Sequence, residues 1–315
     1  MSNLKLINMR DVEVEPICWL WYPFIPYGKV TIIQGDPGEG KTTLVLQIIA
    51  RLTKGESIID EDESLPINVI YQTAEDGLAD TIKPRLLVAN ADCSKVLVID
   101  DSDTPLTMRD ARLEQAIIET NAKLVVLDPI QGFLGADVDM HRANEIRPIM
   151  KHISELAEKY KCAIILIGHM NKCSVGKSAY RGLGSIDFQA AARSVLIVGR
   201  IKDEPEIRVV CQTKSSLAPE AKAVAFRLSE KNGFEWVGEY DVTADDLLSG
   251  TAKGTKKQAA MDFLESLLSG GQMSQTEIME LAERKSIAEK TLRNAKEALG
   301  IKSKRENNQW YWSLD

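Results

Sequence analysis

Residues 29–49 read KVTIIQGDPGEGKTTLVLQII. The opening Lys29–Gln34 run is apolar and β-branched and stops at a glycine, which predicts a buried strand. Leu44, Val45, Ile48 and Ile49 recur at helical spacing, so an amphipathic helix follows and continues to about Leu52. Between strand and helix, Gly35-Asp36-Pro37-Gly38-Glu39-Gly40-Lys41-Thr42 satisfies G-x-x-x-x-G-K-[ST] at every fixed position. The glycines let successive backbone N–H groups turn inward, which suits phosphate oxygens. Lys41 brings an ammonium to the outer phosphates, Thr42 a hydroxyl for Mg²⁺, and Thr43 a contact to an inner phosphate. The start of the helix adds its positive dipole end. A glycine-rich turn can mimic the pattern, but the flanking strand and helix are the context that phosphate binding needs.

Outward from this stretch, apolar strands alternate with helical segments. Strands are expected at Ile67–Gln72, Lys95–Asp100, Lys123–Asp128 and Cys162–Gly168, and helices near 79–90, 108–121 and 141–160. That rhythm predicts an α/β fold with a mostly parallel sheet covered by helices on both faces. After Ala191 the strands Ser194–Val198, Ile207–Cys211, Ala223–Leu228 and Phe234–Val237 have short connections, which predicts an antiparallel extension of the sheet.

Three further features carry chemistry. The strand LVVLD ends in Asp128, which at the C-terminal edge of a parallel sheet faces the cradle and can hold Mg²⁺ through its water shell. The stretch YQTAED puts Glu75 and Asp76 just past a neighbouring strand; Glu75 is the candidate to activate a water and Asp76 the fallback. Both acids could instead merely cap the next helix. His169 follows the strand CAIILIG and can contact a terminal phosphate or serve as a plain hydrogen-bonding residue.

The segment 243–255 (TADDLLSGTAKGT) is small, polar and glycine-punctuated, and reads as a linker between units at 1–242 and 256–315. The last unit has an apolar helical face (Ala260, Phe263, Leu264, Leu267, Leu268) and capping-box patterns at Ser274/Glu277 and Ser286/Glu289. A glycine stop at Gly300 and an aromatic segment, Trp310-Tyr311-Trp312, follow. Helices ending in a hairpin predict a winged helix-turn-helix. From Arg284 to Arg305 there are eight basic residues against two acidic ones. Lys290, Arg293 and Lys296 share one side of the expected helix, a spacing suited to DNA phosphates, although winged helices also dock proteins and charged helix faces are often only solvated.

A net charge of −7 excludes a uniformly basic coat. The five cysteines are scattered, with no C-x-x-C pair for zinc or redox chemistry, and Cys162 and Cys211 sit in apolar runs that predict buried thiols. This usage suits a reducing cytoplasm. No apolar run approaches the ~18 residues of a membrane helix, and the first residues are polar, so a cytoplasmic protein without a membrane association is expected.

With GDPGEGKT, YQTAEDG, LVVLDP, IGHMNK and RGLGSIDFQAAARSV in this order, residues 15–240 resemble RecA-fold ATPases, and most closely the RepA-type hexameric helicases of plasmids, phages and mobile elements. The resemblance implies ATP and Mg²⁺ as ligands, with Lys41 and Thr42 binding the nucleotide and metal. It implies that Glu75 activates water, that Asp128 supports the metal and that His169 acts as sensor. Arg193 would be an arginine finger for a neighbouring subunit's ATP, unless it pairs within its own subunit, and Lys214 lies where relatives carry another reaching base. The polar loop with Lys172, Lys177 and Arg181 is similar to the segment lining the central channel of such rings, though it also reads as a solvated loop. Expected partners are DNA and further copies of the chain, forming a hexamer. The sequence has no counterpart of the N-terminal helical domain of DnaB-type helicases, nor of the zinc finger of RadA. The functions these features allow are a ring helicase, an ATP-switched DNA-binding regulator or loader, and a RadA-like recombination accessory ATPase.

Overall fold

The computed structural model describes residues 5–59, 64–170, 186–202, 204–229, 231–249, 256–285, 287, 289–306 and 309–314. A short ribbon of β1 (Trp19–Trp21) and β2 (Ile25–Pro26) leads into β3 (Val30–Gly35) and α1 (Lys41–Lys54). Then come β4 (Val69–Thr73), a π-helical turn (Leu78–Ile82), α2 (Lys83–Val88), β5 (Val96–Leu97), α3 (Ala111–Thr120), β6 (Leu124–Asp128), α4 (Ala143–Tyr160) and β7 (Ala163–His169). The unit closes with α5 (Ile186–Ala191), β8 (Ser194–Ile201), β9 (Glu204–Ser215), β10 (Ala223–Ser229), β11 (Gly233–Tyr240) and α6 (Ala244–Ser249).

The strands form one sheet in the order β11-β10-β9-β8-β3-β7-β6-β4-β5. From β8 to β5 neighbours are parallel, and β9, β10 and β11 extend the β8 edge antiparallel, as expected. The parallel strands are apolar throughout because both faces are covered. In β7, Ile164 and Leu166 belong to the core formed with α3 and α4, while Ile165 and Ile167 belong to the core formed with α1 and α2. Helix ends obey local chemistry. Gly55 closes α1 in a left-handed conformation, and the Asp110 side chain accepts from the Arg112 amide at the start of α3.

Three expectations need correction. The strand expected over Lys95–Asp100 pairs only at Val96 and Leu97. Beyond them the Gln72 side chain takes over, accepting from the Ile99 amide at 3.1 Å and donating to the Ile99 carbonyl at 3.0 Å. The helix expected near 79–90 starts as a π-helical turn before α2, with Pro84 in its first turn. The linker read at 243–255 opens with α6. Thr243 and Asp246 cap it reciprocally, since the Asp246 amide donates to the Thr243 hydroxyl and the Thr243 amide to the Asp246 carboxylate. Leu248 is buried, and Leu247 packs on Gly199 in a core beside the antiparallel strands. Charge and glycine content concealed two leucines with a surface to cover.

The C-terminal unit contains α7 (Lys256–Leu268), β12 (Met273–Ser274), α8 (Gln275–Arg284), α9 (Glu289–Ala298), β13 (Lys302–Glu306) and β14 (Gln309–Ser313). Its strands form a small antiparallel sheet in the order β12-β14-β13. Phe263, Leu264, Leu268, Ile278, Leu292, Ala295 and Trp312 are its core. The Ser274 hydroxyl accepts from the Glu277 amide, and Gly300 turns the chain with φ +63 after α9. Ser286 lies outside the described residues. Trp312 packs inside, whereas Trp310 is 46% exposed.

Among the described residues no helix is long and apolar enough to cross a membrane. Cys162 and Cys211 are buried, and burial pushes their thiols up to about 11 and about 12. Phe226 on β10 is fully buried and stacks on Phe234 with ring centroids 5.1 Å apart. Phe226→Ala is therefore expected to lower the unfolding free energy by about 3–5 kcal/mol in urea denaturation.

Candidate nucleotide-binding site

The glycine-rich loop leaves β3 at the C-terminal edge of the parallel strands and enters α1. Two of its glycines have positive φ, +80 at Gly38 and +88 at Gly40. A Cβ on Gly40 would also lie 2.7 Å from Leu228 Cδ1, and one on Gly35 would lie 2.2 Å from the Val198 carbonyl. Both positions require glycine because β8, through Val198, and β10, through Leu228, press against the loop.

Lys41 is 4% exposed. Its Nζ donates to the Gly35 and Asp36 carbonyls at 2.9 Å each and lies 3.4 Å from His169 Nδ1. Burial lowers its pKa, opposed by the charges of Asp128, Asp36, Glu39 and Glu75. Thr42 donates its hydroxyl proton to Asp128 Oδ2 at 2.7 Å, and Tyr71 donates to the same oxygen at 2.9 Å. Burial raises the Asp128 pKa, against the pull of these two hydroxyls and of Lys41.

On the far side of His169, Nε2 lies 3.8 Å from Glu75 Oε2. Thus Lys41, Thr42, Asp128, His169 and Glu75, drawn from four segments, meet at one edge. Asp76 is drawn aside by Arg85 at 3.1 Å, which leaves Glu75 as the acid facing His169. In the loop, Asp36 contributes its carbonyl, Pro37 bridges it to Gly38, and Thr43 is half-buried in the first turn of α1. Glu39 lies 3.8 Å from Arg200 Nε and 3.9 Å from Arg208 Nε, and its charge is still felt at Lys41.

Thr42 and Asp128 are hard oxygen donors within hydrogen-bond reach of each other, a set that fits Mg²⁺ when phosphate oxygens and water complete the shell. Among the described residues no group of three His, Cys, Asp or Glu could hold a metal alone.

Other expected residues are elsewhere. Arg193 is exposed, and its amide donates to the Val30 carbonyl at the beginning of β3, about 17 Å along the strand from Gly35 at 3.3 Å per residue. Beside it, Lys214 caps α5 by donating to the Gln189 and Ala190 carbonyls. Lys172, Lys177 and Arg181 lie outside the described residues, as does the Lys290 side chain. Arg293 pairs with Glu289 at 2.6 Å, and Lys296 lies 4.5 Å from the centroid of the Trp312 ring. Of the three residues expected to share one side of this helix, Arg293 is thus paired with a carboxylate and Lys296 lies over an aromatic ring. Tyr71, Arg200 and Arg208 were not anticipated; the one local mark of Tyr71 was a hydroxyl following the apolar pair Val69 and Ile70.

This geometry defines a P-loop α/β protein with a RecA-like fold. The AAA domain family matches residues 3–175, more than half of the chain, and the protein belongs to that family. A KaiC-like protein from Pyrococcus horikoshii has the same fold, with a TM-score of 0.51 and 17% identity over 70% of this chain and 99% of that one. Protein RecA of Solidesulfovibrio magneticus is 24% identical over 232 residues, covering 68% of this chain and 62% of the relative. The DNA repair protein RadA of Halalkalibacterium halodurans is 28% identical over 148 residues, covering 46% of this chain and 28% of the relative. The chain therefore spans less than two thirds of the length of either curated relative.

Gly40→Ala tests the cradle. A non-glycine residue held in the left-handed region, with its methyl against Leu228, is expected to cost about 1–3 kcal/mol in urea denaturation. An unchanged midpoint would mean that the loop relaxes without strain.

Proposed function

We propose that this chain is an ATP-hydrolysing, DNA-associated motor of the RepA-like ring-helicase type, acting in replication of DNA or of a mobile element. The observation that supports it most is the meeting of Lys41, Thr42, Asp128, His169 and Glu75 at one sheet edge. Backbone amides and Lys41 bind the triphosphate. Mg²⁺, when bound, neutralises charge on the phosphates. Thr42 and Asp128 are the residues that would hold it. Glu75 orients the attacking water and accepts its proton as the bond to the γ-phosphate breaks. His169, between Lys41 and Glu75, senses the γ-phosphate and passes its loss to the chain that follows β7, where Lys172, Lys177 and Arg181 are the proposed contacts to a single strand.

Arg193 is remote from its own cradle, which favours action on a neighbour's ATP in a head-to-tail ring, proposed as a hexamer. Lys214, occupied in capping α5, must first leave those carbonyls to reach across. The C-terminal unit, read as a winged helix, is proposed to bind duplex DNA through the face of Lys290, Arg293 and Lys296. The RadA relative, a DNA repair protein by name, leaves a recombination accessory role as the alternative among motors.

Lys41→Ala is expected to abolish ATP hydrolysis and strand displacement on a forked duplex. Hydrolysis by the wild type without displacement would leave the ATP-switched regulator or the recombination accessory, and ATP-dependent duplex binding without unwinding would favour the regulator. Mixing Lys41→Ala with Arg193→Ala protein should restore part of the hydrolysis that each lacks alone, because mixed interfaces join an intact cradle to an intact arginine. No recovery would remove the trans role of Arg193. Arg293→Glu should weaken duplex binding and flatten its salt dependence by about one unit of slope or more. Superimposable titrations at all salt concentrations would exclude that face.

A further inference from the structure

Tyr71 is fully buried in β4, amid the apolar core that joins the sheet to α1 and α2. A phenylalanine would fill the same volume, so packing does not account for the hydroxyl. A buried hydroxyl requires a partner, and this one donates to Asp128 Oδ2 at 2.9 Å. The β4–β6 register aligns Tyr71 with Val126 and Thr73 with Asp128, so the phenol reaches one strand over and two residues along to meet the carboxylate. Thr42 donates to the same oxygen at 2.7 Å. A hydroxyl has one proton and two lone pairs, so Thr42 keeps lone pairs for a metal while its proton is committed to Asp128.

Lys41 supplies the reason for a second tether. Its buried ammonium feels the Asp128 charge. A carboxylate held by Thr42 alone can rotate toward that cation. Such a rotation would carry Asp128 away from the metal, while Lys41 keeps its two loop carbonyls and its reach to the phosphates.

We propose that Tyr71 is a positioning residue for the metal site, whose hydroxyl pins Asp128 beside Thr42 and keeps it from pairing with Lys41. This rests on the nucleotide–Mg²⁺ reading of the cradle. The pin belongs to the protein before nucleotide arrives, so its loss changes metal affinity more than phosphate affinity.

Tyr71→Phe isolates the hydroxyl and preserves the ring. ADP binding is measured by calorimetry across a Mg²⁺ series and in chelator, alongside thermal unfolding. In the variant, the Mg²⁺ concentration for half-maximal enhancement of ADP binding should rise by about tenfold or more, the usual scale for losing a partner that orients a metal ligand. ADP affinity in chelator should stay within about twofold of the wild type, the margin that separates a metal effect from a phosphate effect. An unchanged Mg²⁺ midpoint overturns the proposal, and so does an equal loss of affinity with and without Mg²⁺, which is the mark of a packing role. Wild-type protein whose ADP binding ignores Mg²⁺ would sink the metal reading of the cradle itself, a result distinguishable because it needs no variant.

Discussion

A buried ammonium group governs this structure. Lys41 is almost wholly withdrawn from water, and a cation there is tolerable only when acceptors and opposite charge surround it. Two carbonyls of its own loop accept from it, and Asp128, Asp36, Glu39 and Glu75 supply negative potential. Those carbonyls turn inward only because the loop curls, and the curl needs the positive φ of Gly38 and Gly40. Val198 on the neighbouring strand β8, with Phe226 and Leu228 on β10, braces the curl from behind. A local motif thus requires a distant part of the sheet to hold its shape.

The topology explains why the chemical groups meet. In a parallel sheet every strand presents its C-terminal end at the same edge. β3 brings the cradle there, β6 brings Asp128, β7 brings His169, and the chain leaving β4 brings Glu75. β8 is parallel to β3, so Arg193, which precedes it, is carried to the opposite edge. Placing a cation at one edge and the cradle at the other is what the proposed head-to-tail contact between copies would require.

The sequence made legible what is decided locally. Strand and helix periods, the cradle, Asp128, Glu75 and His169 are all readable from neighbours within a few residues, and the structure brings Lys41, Thr42, Asp128, His169 and Glu75 to one edge. Pairings across the sheet were not readable. Tyr71 meets Asp128 across 57 positions, and Glu39 faces Arg200 and Arg208 from the far strands. The Gln72 clamp shortened an expected strand because a side-chain amide can satisfy backbone groups as well as another strand does. The helix in the expected linker formed because Leu247 and Leu248 find apolar surface, which composition alone does not reveal.

Charge in the C-terminal unit shows the same limit from another side. The count of basic residues from Arg284 to Arg305 measures potential only if each cation faces solvent. Glu289 engages Arg293, Glu306 engages Lys304 at 2.8 Å, and Lys285 lies 5.6 Å from the centroid of the Phe263 ring. Lys296 sits over Trp312, where burial lowers its pKa. An ammonium over an indole retains its charge but loses part of its hydration, so less remains to be removed when an anion arrives. The exposed i,i+4 pair of Arg293 and Glu289 has little net strength and yields readily to a phosphate. These pairings make the face conditional: it presents less positive charge at rest than its composition suggests, and it can release more where a polyanion competes for the arginine.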